Sequence, residues 1–130
     1  MTNRDSHEEI KPMNTRYEPA STPEELSRLV VERVNAGDAA GVAVLYETQA
    51  VVGFPSDNPT VGREAIAALY QRMVDAGAKF EVEDPLPTLY FEDLALTATR
   101  PKDGTGGRSQ VLRRQPDGTW LRVLDRPEAG

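Results

Sequence analysis

The chain has 130 residues, which is enough to bury one hydrophobic core and too short for two independent domains. Its 15 lysine and arginine residues stand against 21 aspartate and glutamate residues, so the net charge is −6, and we expect no binding to nucleic acid or to an anionic membrane. The absence of cysteine excludes disulfides, thiolate metal sites and a cysteine nucleophile from this sequence, and favours a cytoplasmic location. No apolar run is long enough to span a membrane.

The first 20 residues predict a flexible tail, because they are polar and aperiodic and bury too little apolar surface to offset the entropy of ordering. The single histidine, His7, lies in this tail. We expect one domain over residues 21–127 and a short C-terminal tail over residues 128–130. The domain begins with a helix after Thr22, a typical N-cap, with Pro23 in the first turn and Glu25 placed to close a capping box.

Residues 23–77 form the helical part of the predicted domain. Gly37 ends the first helix, Asp38 caps a short second helix, and Gly62 opens a third helix that stops near Gly77. The apolar faces of these helices are formed, in turn, by Leu26, Leu29, Val30 and Val34, by Val42, Leu45 and Tyr46, and by Ile66, Leu69, Tyr70 and Met73.

From residue 79 onward apolar residues alternate with polar ones, which predicts strands instead of helices. Glycine-containing segments at 103–107 and 116–118 supply hairpin turns. Together with one strand before the third helix, the predicted strands cover residues 49–54, 79–84, 86–91, 94–100, 108–115 and 119–125. Helices followed by an antiparallel sheet predict an α+β fold in which the helices pack on one face of the sheet.

Four segments carry a resemblance to known proteins: Val34-Asn35-Ala36-Gly37-Asp38 leading to Tyr46, Ala50-Val51-Val52, Val61-Gly62-Arg63-Glu64-Ala65-Ile66, and Arg113-Arg114-Gln115-Pro116-Asp117-Gly118-Thr119-Trp120. In this order they resemble the nuclear transport factor 2-like superfamily, also called the cystatin-like cone fold, and within it the SnoaL-like and ketosteroid-isomerase-like domains. The resemblance implies a strongly curved, mainly antiparallel sheet around a central apolar pocket, and dimerisation through the outer sheet face. It implies no single activity, because such folds host isomerases, cyclases, epoxide hydrolases, dehydratases and non-catalytic binding proteins.

Ketosteroid isomerases use a tyrosine, an aspartate base and a protonated acid. The resemblance sets Val30, Phe54 and Gln110 at these three positions. Val30 and Phe54 carry no exchangeable proton, and Gln110 cannot ionise, although its amide can donate a hydrogen bond. Steroid-type isomerisation by that set of groups is therefore not expected.

The candidate catalytic group is the carboxylate of Asp125, which ends the last predicted strand at a place where related sequences often carry aspartate. Strict alternation places Asp125 on the same face as Leu121 and Val123, and on the opposite face from Trp120 and Arg122. A carboxylate among apolar neighbours can act as an acid or a base near neutral pH.

A structural role for Asp125 is the competing interpretation, with its carboxylate paired to Arg100, to Arg126 or to a backbone amide at the strand end. Arg122 is assigned to the outer face of the sheet, in a solvated basic cluster with the two arginines that end the preceding strand.

The sequence therefore predicts a pocket protein that binds a small apolar or aromatic molecule, with no metal and no cofactor. In the enzymatic form Asp125 is the acid or base of an isomerisation, cyclisation or dehydration, and Gln110 donates a hydrogen bond to the oxyanion. The predicted pocket walls are Val30, Tyr46, Phe54, Leu112 and Trp120. The alternative is a non-catalytic module whose cavity is filled by side chains and which binds a second copy through the outer sheet face.

Overall fold

A computed structural model describes residues 17–104 and 106–129, so most of the predicted N-terminal tail lies outside the described residues. The described ranges contain the helices α1 (Pro23–Asn35), α2 (Ala39–Ala43) and α3 (Arg63–Asp75). The strands in the same ranges are β1 (Tyr46–Val52), β2 (Thr60–Val61), β3 (Asp84–Pro85), β4 (Leu89–Phe91), β5 (Leu94–Arg100), β6 (Gly107–Arg114) and β7 (Trp120–Ala129). None of these helices is long and apolar enough to cross a lipid bilayer.

The strands form one curved sheet with the helices packed on it, which confirms the predicted α+β class. Their order across the sheet is β2-β1-β7-β6-β5-β3, and β4 also pairs with β5. Neighbouring strands are antiparallel, apart from β1 and β7, which run parallel. The core between helices and sheet is formed by fully buried apolar side chains, among them Leu26, Leu29, Val34, Val42, Leu45, Ile66 and Leu112.

The predicted helix starts are confirmed. The Thr22 hydroxyl accepts a hydrogen bond from the Glu25 amide at 3.1 Å, and the Asp38 carboxylate accepts one from the Gly41 amide at 2.9 Å. The Glu25 carboxylate bonds the backbone amide of Ser21 at 2.7 Å, one residue before the amide that a capping box uses. These caps fix where α1 and α2 enter the core.

Three strand predictions were wrong. Strand β1 begins at Tyr46, so this residue belongs to the sheet and not to the second helix. Residues 79–83 form no strand, because the Asn35 side chain takes the place of a partner strand: its amide donates to the Phe80 carbonyl at 3.0 Å and accepts from the Phe80 amide at 2.8 Å. Beyond this segment the predicted strand 86–91 is replaced by the short strands β3 and β4.

Structured residues extend on both sides of residues 21–127. Ala20, assigned to the tail, is fully buried, and its carbonyl accepts a hydrogen bond from the Trp120 amide at 3.0 Å. The Glu18 carbonyl accepts a hydrogen bond from the Arg33 side chain. At the other end, β7 runs on to Ala129. Residues 17–20 and 128–129 are therefore part of the folded domain.

Strand β7 contains a β-bulge at Val123. Leu112 of β6 lies opposite Arg122, whereas the residue before Leu112 lies opposite Leu124, so Val123 has no partner of its own. The extra residue reverses the alternation of β7 at this point. Arg122 and Asp125 consequently point to the same, inner face of the sheet, and the prediction that they lie on opposite faces was wrong.

Candidate functional site

A cavity of about 450 Å³ lies between the helices and the inner face of the sheet. Its innermost polar groups belong to Tyr70 of α3, Gln110 of β6, and Arg122 and Asp125 of β7. Apolar side chains from several elements form the walls: Val30, Val31, Val52, Phe54, Met73 and Phe80. The cavity therefore combines apolar wall residues with a group of buried polar side chains at its inner end, and further charged residues belong to its lining, among them Lys79, Glu83 and Arg108.

The register of the sheet places the polar groups in one row. Asp125 pairs with Gln110 across β7 and β6, and Gln110 pairs with Thr97 across β6 and β5. On its other side Asp125 pairs with Val52 of β1. All these residues are buried, so the row places three polar side chains, Asp125, Gln110 and Thr97, next to one another on the inner face.

The Asp125 carboxylate is held through one of its two oxygens. Oδ2 accepts a hydrogen bond from the Tyr46 hydroxyl at 2.6 Å and another from Nη1 of Arg122 at 3.3 Å. The side chains of Arg122 and Asp125 are only 6% and 4% exposed, so this is a buried ion pair. No residue in the described ranges donates to Oδ1, which leaves this oxygen for a group in the cavity.

The Arg122 guanidinium joins the helices to this row. Nη1 also donates to the Tyr46 hydroxyl oxygen at 3.2 Å, and Nη2 donates to the Ser27 hydroxyl of α1 at 3.3 Å. Nε is buried and has no hydrogen-bond partner within the described part of the chain. A buried N–H without an acceptor is costly, so this group is a local cost of burying the guanidinium.

The two tyrosines form a directed chain of hydrogen bonds. Because the Tyr46 hydroxyl gives its only hydrogen to Asp125, the Tyr70 hydroxyl must donate to the Tyr46 oxygen, at 2.9 Å. Burial, with the nearby Asp125 charge, raises the pKa of Tyr70 to about 12 and that of Tyr46 well above its ordinary value. Both hydroxyls therefore stay protonated and act as donors at neutral pH.

The Gln110 amide is also oriented. Its Oε1 accepts a hydrogen bond from the Thr97 hydroxyl at 2.7 Å. This bond leaves the amide nitrogen Nε2 as the free end of the side chain, and no acceptor for it lies among the described residues. The cavity lining thus contains an amide donor, Gln110, beside a carboxylate acceptor, Asp125.

The three positions aligned with ketosteroid-isomerase groups, Val30, Phe54 and Gln110, all line the cavity, as does Asp125. Of the predicted pocket walls, Tyr46, Leu112 and Trp120 do not. Tyr46 is fully buried behind the Asp125 carboxylate, and Leu112 lies one row deeper in the core.

Trp120 lies five residues before Asp125, about 16 Å along the strand, so it cannot reach the inner end of the cavity. Its ring packs edge-on against Tyr90, with the ring centroids 6.1 Å apart.

Two cavity residues were missed by the sequence analysis. Arg122 was assigned to a solvated basic cluster with Arg113 and Arg114, but it is buried and lines the cavity. The other two arginines are exposed, and they pair with Glu47 and Asp93, respectively. Nothing in the sequence marks the bulge that turns Arg122 inward. Tyr70 was assigned to the core, and it does belong to the buried core cluster, but it also lines the cavity, and a buried tyrosine hydroxyl needs a polar partner, which points to a second polar group nearby.

The competing interpretation was that Asp125 pairs with a basic side chain or a backbone amide. Asp125 does form an ion pair, and its partner is Arg122. Arg100 and Arg126, the partners proposed from the sequence, are both exposed. Among residues 17–104 and 106–129 there is no group of three histidine, aspartate or glutamate side chains that could hold a metal ion.

Comparison with known proteins agrees with this architecture. The family model of the SnoaL-like domain matches residues 27–124. No protein with a curated description matches the sequence. The resemblance predicted from the sequence is confirmed at the level of family and fold.

Similar solved structures share the fold at low sequence identity. An NTF2-like protein with a cystatin-like fold from Novosphingobium aromaticivorans has a TM-score of 0.62 and 20% identity, covering 81% of this chain and 77% of its own. An NTF2-like protein of unknown function from Pseudomonas putida KT2440 has a TM-score of 0.63 and 18% identity, covering 82% of each chain. A ketosteroid isomerase-like protein from Erwinia carotovora atroseptica has a TM-score of 0.60 and 16% identity, covering 81% of this chain and 91% of its own.

The buried tyrosines predict a loss of stability in alkali. Because the pKa of Tyr70 is about 12 in the folded protein and about 10 in an unfolded chain, the folded state holds this proton more tightly. The resulting stabilisation, about 2–3 kcal/mol, is complete below pH ~10 and is lost as the pH rises toward ~12. Urea unfolding at a series of alkaline pH values measures it. Tyr70→Phe should flatten this decline, and an equally steep decline in the variant would contradict the assignment.

Proposed function

We propose, for a chain that belongs to the SnoaL-like domain family, that the cavity binds a small, mainly apolar molecule and that Asp125 exchanges a proton with it. The observation that carries the proposal concerns Asp125: this residue lines a cavity of about 450 Å³, and its Oδ1 receives no hydrogen bond from a described residue. A volume of this size lies within the range of small-molecule sites in proteins.

The shape and walls of the cavity support binding. Val30 and Val31 of α1, Met73 of α3 and Phe54 after β1 supply apolar surface to the walls of this space. Burying an apolar ligand there gains about 25 cal/mol for each Å² removed from water. The alternative of a cavity filled by side chains has less support, because the described side chains leave this volume open.

The polar end supports proton transfer. Tyr46 and Arg122 hold Oδ2, so Oδ1 is presented in a fixed orientation, as a base in an active site requires. Gln110 lies opposite Asp125 in the sheet, and its Nε2 can donate to an oxygen that gains negative charge as a neighbouring carbon loses its proton. These groups suit a cofactor-independent isomerisation, cyclisation or dehydration.

Acetophenone, a small aromatic ketone with exchangeable hydrogens beside its carbonyl, is a suitable probe. In D₂O the protein should accelerate exchange of these hydrogens, and Gln110→Leu should slow the catalysed exchange by about 10²-fold, because one oxyanion donor is removed. Val30→Phe should abolish exchange by filling the cavity, since Val30 lines it. Exchange is followed by proton NMR of the ketone.

The matched control is Val82→Phe, which adds the same ring at an exposed position outside the cavity lining and outside the apolar row on the outer face, and should behave as the parent protein. Amide shifts on titration with acetophenone report binding separately from exchange. Shifts around the cavity without catalysed exchange would support the non-catalytic alternative, and the absence of such shifts would contradict binding itself.

We also propose that two copies associate through the outer face of the sheet. One row of apolar side chains crosses this face from strand to strand, as the register pairs show: Leu89, Leu96, Val111, Leu124, Val51 and Val61. Leu89 and Leu124 are 63% and 49% exposed. A continuous exposed apolar row is typical of a protein interface.

Sedimentation velocity tests the association. The parent protein should sediment as a dimer and Leu124→Asp as a monomer, because a charge is placed in the middle of the apolar row. Ala68→Asp, on an exposed position of α3, is the control and should remain dimeric. A monomeric parent protein would contradict this interface.

A further inference from the structure

Three hydrogen-bonding groups at the inner end of the cavity have no partner within the described part of the chain. Asp125 offers the acceptor Oδ1, and Gln110 offers the donor Nε2. Arg122 adds a second donor, Nε, which is buried and unpartnered. Each of these side chains is more than nine-tenths buried.

The acceptor and the first donor lie side by side. Asp125 and Gln110 are direct partners across β7 and β6, and side chains so paired have Cβ atoms about 4.5–5.5 Å apart. A ligand that carries an acceptor and a donor on one carbon can therefore bond both groups at once, its acceptor to Gln110 and its donor to Asp125. Two parallel bonds of this kind fix the orientation of the ligand as well as its position.

The charges around the cavity are balanced. Arg122 and Asp125 cancel each other at the inner end. The described lining contains four positive and four negative side chains. The positive ones are Lys79, Lys102, Arg108 and Arg122, and the negative ones are Glu81, Glu83, Asp103 and Asp125. This balance contrasts with the net charge of −6 on the chain. Because the pair is neutral, a charged head group at the inner end would lose its hydration and gain no net charge attraction in return.

From these observations we infer that the inner end recognises an uncharged group with an acceptor and an N–H donor on one carbon, as in a primary carboxamide or a lactam. The inference rests on the proposed function, in which the cavity binds a small, mainly apolar molecule. The carboxamide oxygen accepts from Nε2 of Gln110, and the carboxamide nitrogen donates to Oδ1 of Asp125. The apolar remainder of the ligand packs against the walls near Val30 and Phe54.

Three probes of nearly equal size separate head-group chemistry from size: benzamide, benzoate and benzylamine. At neutral pH they are uncharged, anionic and cationic. Titration followed by protein NMR should show benzamide binding at least about tenfold more tightly than either charged probe, because a charged head group is disfavoured beside the Arg122–Asp125 pair. Benzoate or benzylamine binding as tightly as benzamide would overturn the inference.

Variants of Gln110 test the assigned contact. Gln110→Leu should weaken benzamide binding by about tenfold, because the carboxamide oxygen loses its donor. Gln110→Glu adds a negative charge beside Asp125 and should reverse the order, so that benzylamine binds most tightly. An unchanged order in Gln110→Glu would contradict the contact.

The outcomes distinguish this inference from the proposed function. If acetophenone shifts the cavity amides but benzamide binds no better than the charged probes, the head-group inference fails and the pocket proposal stands. If no probe shifts these amides, the pocket proposal fails and the inference falls with it.

Discussion

The Asp125–Arg122 pair is the interaction on which the inner face of this domain depends. Neither charge can be buried alone among valines and leucines, because an uncompensated ion in a protein interior costs several kcal/mol. The pair is brought together by the bulge at Val123, which turns both residues of β7 inward. The Tyr46 hydroxyl and the Ser27 hydroxyl then satisfy further polar groups, so β1, β7 and α1 meet at one point.

This arrangement also explains why the cavity has two chemical characters. The Asp125–Arg122 ion pair and the tyrosines Tyr46 and Tyr70 need polar partners. Polar residues continue beside them in one row of the sheet, from Asp125 through Gln110 to Thr97. The residues that face the same space from α1 and α3 are free to be apolar. A ligand is therefore oriented by the sheet and surrounded by the helices, which is a common arrangement in small-molecule sites.

The sequence predicts the regular parts of the fold well. The cap at Thr22, the helix that follows and strand β5 (Leu94–Arg100) rest on local signals, namely a capping hydroxyl, helical spacing and strict alternation. Residues 79–83 were mispredicted because their partner is a side chain, that of Asn35, which lies 45 residues away from Phe80. No local pattern reports such a contact.

The candidate site was only half predictable for a similar reason. Asp125 and Gln110 were identified, but Arg122 was placed on the wrong face, since alternation assumes a regular strand and Val123 is a β-branched residue that suits one. The bulge brings Arg122 next to Asp125 in three dimensions, and the sequence of β7 alone does not show this contact. Tyr46 was misplaced for a similar reason. Its spacing from Val42 and Leu45 suits a helix, but the residue begins strand β1, from which its hydroxyl bonds Asp125.

A double-mutant cycle on the buried pair tests this account most directly. Asp125→Leu and Arg122→Leu should each lower the free energy of unfolding by about 3–5 kcal/mol, because each leaves one buried charge without its partner. In the double variant both charges are gone, so the loss in urea unfolding should be clearly smaller than the sum of the single losses. Additive losses would contradict the claim that the two residues depend on each other.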